Sequence, residues 1–279
     1  MHGHFGAYLH VDLTRGTIND FPIPERWWGL HLGGRGVAAR ILLELLPPGA
    51  DPLGPDNVLV FATGPLQGHK VAGGGRHVVA AKSPKTLAPN EAYAGGFFAH
   101  ELARSGYDGL IVVGRADEPV TLTLLDGEPE LRGAGALWGL ETAETEARLI
   151  AEHGPCHVSS IGPAGENLVQ FACIINDRNR AAGRPGFGAV MGAKRLKAIA
   201  VRGHTQRPVA DEKLLQKARV AYAGGLAKNP DTQAFGKYGT PGGVAYLNQM
   251  GILPTQNFQR GTFERFENIT GELLYDDFM

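Results

Sequence analysis

Cysteine is scarce in this chain: Cys156 and Cys173 are its two thiols among 279 residues. No Cys-x-x-Cys pair occurs, so the sequence does not offer the four thiolates that usually hold an iron–sulfur cluster. Cys156 opens a predicted strand, and Cys173 lies within the apolar run from Phe171 to Ile175. We therefore expect two buried, unreactive thiols.

Excess charge and long apolar runs are missing as well. The formal net charge is -1 at pH 7, so nothing argues for nucleic acid or an anionic membrane surface as a partner. No apolar run reaches the roughly 18 residues of a membrane-spanning helix, and no signal-peptide core stands at the N-terminus. The sequence predicts a globular protein with a cytoplasmic location.

The two standard phosphate-binding loops are also absent, since neither G-x-x-x-x-G-K-[ST] nor a G-x-G-x-x-G after a strand occurs. Glycine nevertheless accounts for 40 of the 279 residues, about twice its usual share of roughly 7%. Residues 162–197 intersperse glycines with cations, among them Arg180, Arg184, Lys194, Arg195 and Lys197. Glycines let backbone N–H groups approach a ligand, and cations neutralise its charge. The stretch predicts a cradle for a phosphorylated cofactor.

Local patterns predict a strand-rich first part and a helical last part. Hairpins are predicted over 7–22 and 120–131, helices over 36–46, 97–105, 141–153, 211–226 and 244–250, and strands over 58–62, 77–81, 110–113, 158–161 and 196–201. The resulting fold class is α+β. A glycine-rich mixed β-sheet domain occupies residues 1–208, and residues 209–279 begin an α-helical domain.

Two landmarks recur along the first part of the chain. The predicted strands 58–62 and 158–161 both lead into a Gly-Pro pair, and the predicted strands 110–113 and 196–201 both lead into glycine. Each half also carries a Gly/Arg cluster between its landmarks, at Gly75-Arg76 and at 180–184. We interpret this pattern as a weak internal duplication with two half-sites, which suits one cofactor with two phosphorylated arms.

The stretch 162–197 resembles the tungstopterin-binding N-terminal region of the aldehyde ferredoxin oxidoreductase family. The resemblance is ordered and spans about residues 1–260. It continues through Trp28-Gly29, Gly33-Gly34-Arg35-Gly36, Gly64-Pro65-Leu66, Gly73-Gly74-Gly75-Arg76, Lys82-Ser83-Pro84, Ala94-Gly95-Gly96-Phe97-Phe98, Gly106-Tyr107-Asp108 and Trp138-Gly139.

This resemblance implies a set of cofactor contacts. The pterin phosphates are expected at Arg76, Ala94, Gly95 and Gly96 in one half-site and at Arg180, Ala182, Gly183 and Arg184 in the other. The backbone carbonyls of Tyr93 and Ala181 are expected to bind a magnesium ion that bridges the phosphates. Relatives commonly carry asparagine at the position of Tyr93, but a carbonyl needs no particular side chain. The alternative interpretation is that Arg76 and the basic cluster are solvated turns.

The resemblance also implies an activity. Members of the family oxidise aldehydes to carboxylic acids at a tungsten (or molybdenum) bis-pterin and pass electrons through a [4Fe–4S] cluster to ferredoxin. The resemblance also implies that the complete enzyme is a homo-oligomer. The chain ends at Met279, near where relatives place their first cluster cysteines. We therefore expect it to be inactive alone, with no catalytic residue of its own, and to need the missing C-terminal domains or a partner subunit. Two alternatives stay open: a non-catalytic cofactor-binding subunit, or part of a related bis-pterin enzyme such as an aromatic acyl-CoA reductase.

Overall fold

The computed structural model describes residues 2–279 and divides into two compact units. One unit ends at Glu212, and the other runs from Lys213 to Met279. The first unit contains two six-stranded mixed sheets, and we describe its two halves in turn.

The first half builds one sheet and the helices attached to it. Its elements are β1 (Ala7–Asp12), β2 (Thr17–Pro22), α1 (Glu25–His31), α2 (Gly34–Leu45), β3 (Leu59–Ala62), β4 (His77–Lys82), β5 (Pro89–Ala94), α3 (Phe98–Leu102) and β6 (Gly109–Val113). The strand order is β2-β1-β6-β3-β4-β5. Strands β1 and β6 are parallel, and the other neighbours are antiparallel.

The second half repeats this topology strand by strand. Its elements are β7 (Val120–Leu125), β8 (Glu128–Gly133), α4 (Thr142–His153), β9 (His157–Ser160), α5 (Pro163–Glu166), β10 (Ile174–Asn176), β11 (Arg180–Ala182), α6 (Phe187–Ala193) and β12 (Leu196–Arg202). The order β8-β7-β12-β9-β10-β11 matches that of the first sheet, and β7 and β12 again form the parallel pair. The predicted duplication is therefore confirmed, and it extends to the whole sheet.

Both sheets bury one face in a common apolar core. That core includes Leu9 and Phe61 from the first sheet and Leu122 and Ile199 from the second. Helices α1 and α2 cover the other face of the first sheet through side chains such as Trp28 and Ile41, and α4 covers that of the second. Burial of these side chains supplies the main stabilisation of the unit.

The two helices that follow the edge strands exchange partners. Helix α3 continues from β5 of the first sheet but contacts β9 and β12 of the second. Helix α6 continues from β11 of the second sheet and contacts β3 and β4 of the first, as well as its own β12. Strands β5 and β11, each at the edge of its sheet, also contact each other.

The second unit is helical and buries little. It contains most of α7 (Glu212–Lys228), α8 (Pro230–Tyr238), α9 (Val244–Gln249) and α10 (Gly271–Phe278), with short 3-10 turns between them. Within 213–279 only Thr270 and Gly271 are buried. No helix among residues 2–279 has the length and hydropathy needed to cross a membrane.

Candidate functional site

The predicted cofactor-contact residues gather where the two edge strands end. Tyr93 and Ala94 are the last residues of β5, and Ala181 and Ala182 are the last residues of the equivalent strand β11. Gly95-Gly96 and Gly183-Arg184 then begin the loops to α3 and α6. Because β5 contacts β11, the structure brings the two predicted half-sites together.

Three arginines surround these loops. Arg76 precedes β4, Arg180 begins β11, and Arg184 follows it; all three are exposed. Within residues 2–279 their guanidinium groups have no hydrogen bond or ion pair. A Cβ atom added to Gly95 would lie 3.9 Å from Cδ of Arg180, so the second half-site reaches the first.

Ala94, Ala182 and Tyr93 can contribute to the site only through their main chains, because their side chains are engaged within the protein. The side chains of Ala94 and Ala182 are buried in the common core beneath the two loops. The Tyr93 hydroxyl donates to Oε1 of Glu91 at 2.8 Å, and Arg35 lies 3.3 Å from the same oxygen. The tyrosine side chain is thus held along its own strand, which leaves the main chain as the part of Tyr93 available to a ligand.

Three of the cations expected in the cradle lie elsewhere, which corrects that part of the prediction. Lys197 is fully buried and donates to Oε1 of Glu166 at 2.5 Å and to two backbone carbonyls. Lys194 is buried and donates to the carbonyls of Gly114 and Pro55, at 3.0 and 3.3 Å. Burial lowers the pKa of Lys194 to about 7. Arg195 lines a separate cleft of about 400 Å³.

The two thiols differ from each other in exposure. Cys156 is buried, as expected, whereas Cys173 is half-exposed, so the prediction is wrong for its burial. Cys173 precedes β10, and its Sγ lies 4.0 Å from where a Cβ on Gly183 would stand. Burial raises the pKa of both thiols, which keeps them protonated and weakly nucleophilic at neutral pH.

Sequence reasoning missed the polar side chains that hold the first loop. Asp177 accepts hydrogen bonds through Oδ2 from the backbone N–H groups of Phe97 and Phe98, at 2.5 and 3.2 Å. Its Oδ1 lies 2.6 Å from Nδ1 of His157. Asn176 donates through Nδ2 to the carbonyl of Gly95 at 2.7 Å. In the sequence, Asn176 and Asp177 follow an apolar run, and no local pattern there indicates their partners.

These contacts set the protonation of the His157–Asp177 pair. The hydrogen bond to Asp177 raises the pKa of His157, against burial, which lowers it. Burial would raise the pKa of Asp177, but the hydrogen bonds from His157 and from the backbone of Phe97 lower it below its ordinary value. The pair is thus biased toward a charged carboxylate at the beginning of α3.

Sequence reasoning also missed the residue that holds the second loop. Ser83, in the turn after β4, is buried, and its hydroxyl donates to the carbonyl of Pro185 at 2.6 Å. Pro185 lies between Arg184 and the beginning of α6. In the sequence, Lys82-Ser83-Pro84 stands out only as part of the family pattern.

Fold and site geometry thus define a class: an α+β protein with two equivalent sheets. Where the edge strands of these sheets meet, it carries exposed guanidinium groups. Comparison of the sequence with protein families makes this specific. Residues 8–203 match the N-terminal domain of aldehyde ferredoxin oxidoreductase, and residues 217–279 match its domains 2 and 3. The chain belongs to the aldehyde ferredoxin oxidoreductase family.

Individual relatives agree with this membership. The chain is 43% identical over 280 residues to the tungsten-containing aldehyde ferredoxin oxidoreductase of Thermococcus kodakarensis, covering 98% of this chain and 46% of that protein. It is 31% identical to the WOR-like subunit of the aliphatic sulfonate oxidoreductase of Pyrococcus furiosus, covering 93% of this chain and 44% of that protein. The chain thus spans less than half the length of these relatives.

A solved structure shares the fold. It is the active-site complex of benzoyl-coenzyme A reductase bound to a dienoyl-CoA, with a TM-score of 0.78 and 38% sequence identity. The match covers 82% of this chain and 36% of that one.

Proposed function

We propose that this chain anchors the phosphates of a tungsten (or molybdenum) bis-pterin cofactor in an oxidoreductase that acts on aldehydes. The observation that supports it most directly is the meeting of two equivalent loops flanked by Arg76, Arg180 and Arg184. Each guanidinium is exposed and without a protein partner in residues 2–279. Guanidinium groups match phosphate geometry and bind it through paired, charge-assisted hydrogen bonds.

The residues present fit such a group. Two equivalent loops, each with a glycine after the edge strand, suit two phosphorylated arms. The main chains of Ala94–Gly96 and Ala182–Gly183 would hold the phosphates, and the three arginines would neutralise their charge. When bound, the cofactor supplies the two-electron chemistry, and the protein supplies binding, orientation and exclusion of water.

We further propose that the carbonyls of Tyr93 and Ala181 are ligands of a bridging magnesium ion. This proposal is supported by the positions of the two residues, since Tyr93 and Ala181 occupy equivalent places in β5 and β11. Carbonyl oxygens are suitable ligands for this hard cation. Within residues 2–279 no group of three or more His, Cys, Asp or Glu side chains could hold a metal, so main-chain ligands carry this proposal.

The whole-protein activity is a proposal by similarity. The names of relatives such as the Thermococcus protein support tungsten and an aldehyde substrate, with ferredoxin as electron acceptor. A [4Fe–4S] cluster, a homo-oligomeric assembly and a cytoplasmic location complete the proposal. Residues 1–208 would form its pterin-binding domain, and residues 209–279 would begin its helical part.

The benzoyl-coenzyme A reductase match supports a second candidate, a part of an aromatic acyl-CoA reductase. Both candidates share the phosphate anchors, so the substrate separates them. The holoenzyme containing this chain should reduce a ferredoxin or viologen dye with short and aromatic aldehydes. Electron transfer coupled only to an aromatic acyl-CoA would favour the second candidate.

The phosphate anchors can be tested directly. In the protein produced anaerobically in a pterin-competent host, Arg76→Ala and Arg180→Ala should each weaken cofactor retention by about 1.5–3 kcal/mol, the value of a charge-assisted hydrogen bond. Pterin is measured by the fluorescence of its oxidised form, and tungsten or molybdenum by mass spectrometry.

Arg26→Ala is the matched control, because Arg26 is an exposed arginine of α1, away from the two loops. It should leave pterin content unchanged. Wild-type pterin content in both anchor variants would contradict the site assignment, and a wild-type protein without pterin would contradict the proposed function itself.

A further inference from the structure

Each cofactor loop is held by hydrogen bonds from polar side chains of the opposite half of the duplicated domain. We call these hydrogen bonds the ties of the loop. The loop after β5 belongs to the first half, and its ties come from Asn176 and Asp177 of the second. The loop after β11 belongs to the second half, and its tie comes from Ser83 of the first.

The ties occupy equivalent places in the two halves. Ser83 begins the turn between β4 and β5, and Asp177 begins the turn between β10 and β11. Each turn joins the edge strand of its own sheet and reaches the loop that follows the edge strand of the other sheet. The arrangement is therefore reciprocal, like the exchange of α3 and α6 between the sheets.

The contact of Asp177 with the first loop also explains why residue 96 is a glycine. Gly96 has φ +93, and a Cβ atom there would collide with the carboxylate of Asp177 and crowd the amide of Asn176. The carboxylate takes the space that a side chain would need, and it accepts from the N–H groups of Phe97 and Phe98. The main chain of this loop is thus fixed by a residue about 80 positions away.

We propose that Asp177, oriented by His157, and Ser83 are positioning residues that hold the two phosphate-binding loops in mutual register, so that loss of either tie weakens retention of the cofactor. The inference rests on the proposed function, because it assumes that both loops bind one ligand. A ligand held by two loops binds best when both are fixed before it arrives, since ordering them on binding costs free energy.

The main experiment compares pterin release from Asp177→Ala, Asp177→Asn and Ser83→Ala with that from wild type. Release of the pterin from the anaerobically purified protein is followed by fluorescence after dilution, and thermal stability is recorded for each variant. We expect release at least about tenfold faster from Asp177→Ala, as for a lost hydrogen bond to a charged group. Asp177→Asn keeps an acceptor oxygen and should recover most of the wild-type rate. Ser83→Ala should also release pterin faster.

Asp12→Ala is the matched control. Asp12 accepts from the backbone N–H groups of Thr14 and Arg15 at 3.0 and 3.1 Å, the same kind of contact that Asp177 makes, but in the β1–β2 turn. This variant should lose stability without faster pterin release. If the role of Asp177 were purely structural, Asp12→Ala and Asp177→Ala would release pterin at equal rates whenever they lose equal stability.

Each outcome decides the inference. A wild-type release rate in either folded variant, Asp177→Ala or Ser83→Ala, overturns it, while loss of pterin from Arg76→Ala and Arg180→Ala would leave the proposed function standing. If Asp177→Ala does not fold, Ser83→Ala alone decides. Hydrogen exchange adds a second readout: the amides of Phe97 and Phe98 should lose protection in Asp177→Ala and keep it in Asp12→Ala.

Discussion

At the scale of single residues, charge in this protein is divided between surface and interior. Arg76, Arg180 and Arg184 keep exposed guanidiniums, while Lys194 and Lys197 of the same glycine-rich stretch are buried. Lys197 has an ionic partner in Glu166. Lys194 has only carbonyls as hydrogen-bond partners among the described residues, and burial lowers its pKa although the charges of Asp56 and Asp12 raise it.

Lys194 should give the protein a distinct pH dependence of stability. The pKa of Lys194 is about 7 in the folded protein and about 10.4 in the unfolded chain. Between these two pH values the amine is protonated in the unfolded chain and neutral in the folded protein. The free energy of unfolding should therefore gain from this group as pH rises from about 7 toward 10. Below pH 7 both states carry the proton, and the full penalty of the buried charge applies.

Urea unfolding of wild type and Lys194→Met at pH 6.5 and pH 9.5 measures this effect. The difference in unfolding free energy, wild type minus variant, should be larger at pH 9.5 by about 1–3 kcal/mol, the value of one to two pKa units. Equal differences at the two pH values would show that Lys194 titrates normally.

At the scale of elements, several glycines serve helix packing instead of ligand approach. Helices α5 and α6 touch through their backbones: a Cβ on Gly192 would collide with the backbone of Gly165, and one on Gly165 would lie 2.9 Å from the carbonyl of Gly188. The sequence interpretation had assigned this whole glycine-rich stretch to a cofactor cradle. The structure divides it between loop and helix packing.

Gly192→Ala should therefore destabilise the protein. The methyl group has no space between α5 and α6, and overpacking of this kind costs about 1–3 kcal/mol. Gly135→Ala is the control, because its Cβ would meet no atom within 4 Å. Thermal unfolding followed by circular dichroism should show a lower Tm for Gly192→Ala and little change for Gly135→Ala. A Tm unchanged by both substitutions would contradict the packing argument.

At the scale of the whole molecule, the two units differ in how they are stabilised. The first buries apolar side chains on both faces of both sheets. In the second, large apolar side chains such as Phe235, Tyr246 and Phe258 are exposed, at 65%, 62% and 81%. Folded domains owe most of their stability to buried apolar surface, so the second unit has little of its own.

Separate expression of the two units tests this difference. Residues 1–212 should unfold in one cooperative transition in urea, because their core consists of their own side chains. Residues 213–279 alone should show no cooperative transition and little hydrogen-exchange protection. A cooperative transition of the second unit alone would show that its few buried contacts suffice.

The sequence by itself determined the family, the fold class, most of the strands and the duplication. Hairpins such as 7–22 follow from local alternation and turn residues, and the repeated strand–glycine landmarks correspond to β3 with β9 and β6 with β12. Strands β5, β10 and β11 and helix α6 were not predicted. Strand β5 begins with proline and asparagine, β10 and β11 have three residues each, and α6 contains Gly188 and Gly192, so tertiary packing decides their conformation.

Only the tertiary structure decided how the two half-sites meet. The hydrogen bond from Ser83 to Pro185 joins residues 102 positions apart, and that from Phe97 to Asp177 joins residues 80 positions apart. No local pattern encodes such pairs, since they depend on the packing of the two sheets. The same packing buried Lys194 and Lys197 and left Arg180 and Arg184 exposed, although these cations look alike in the sequence.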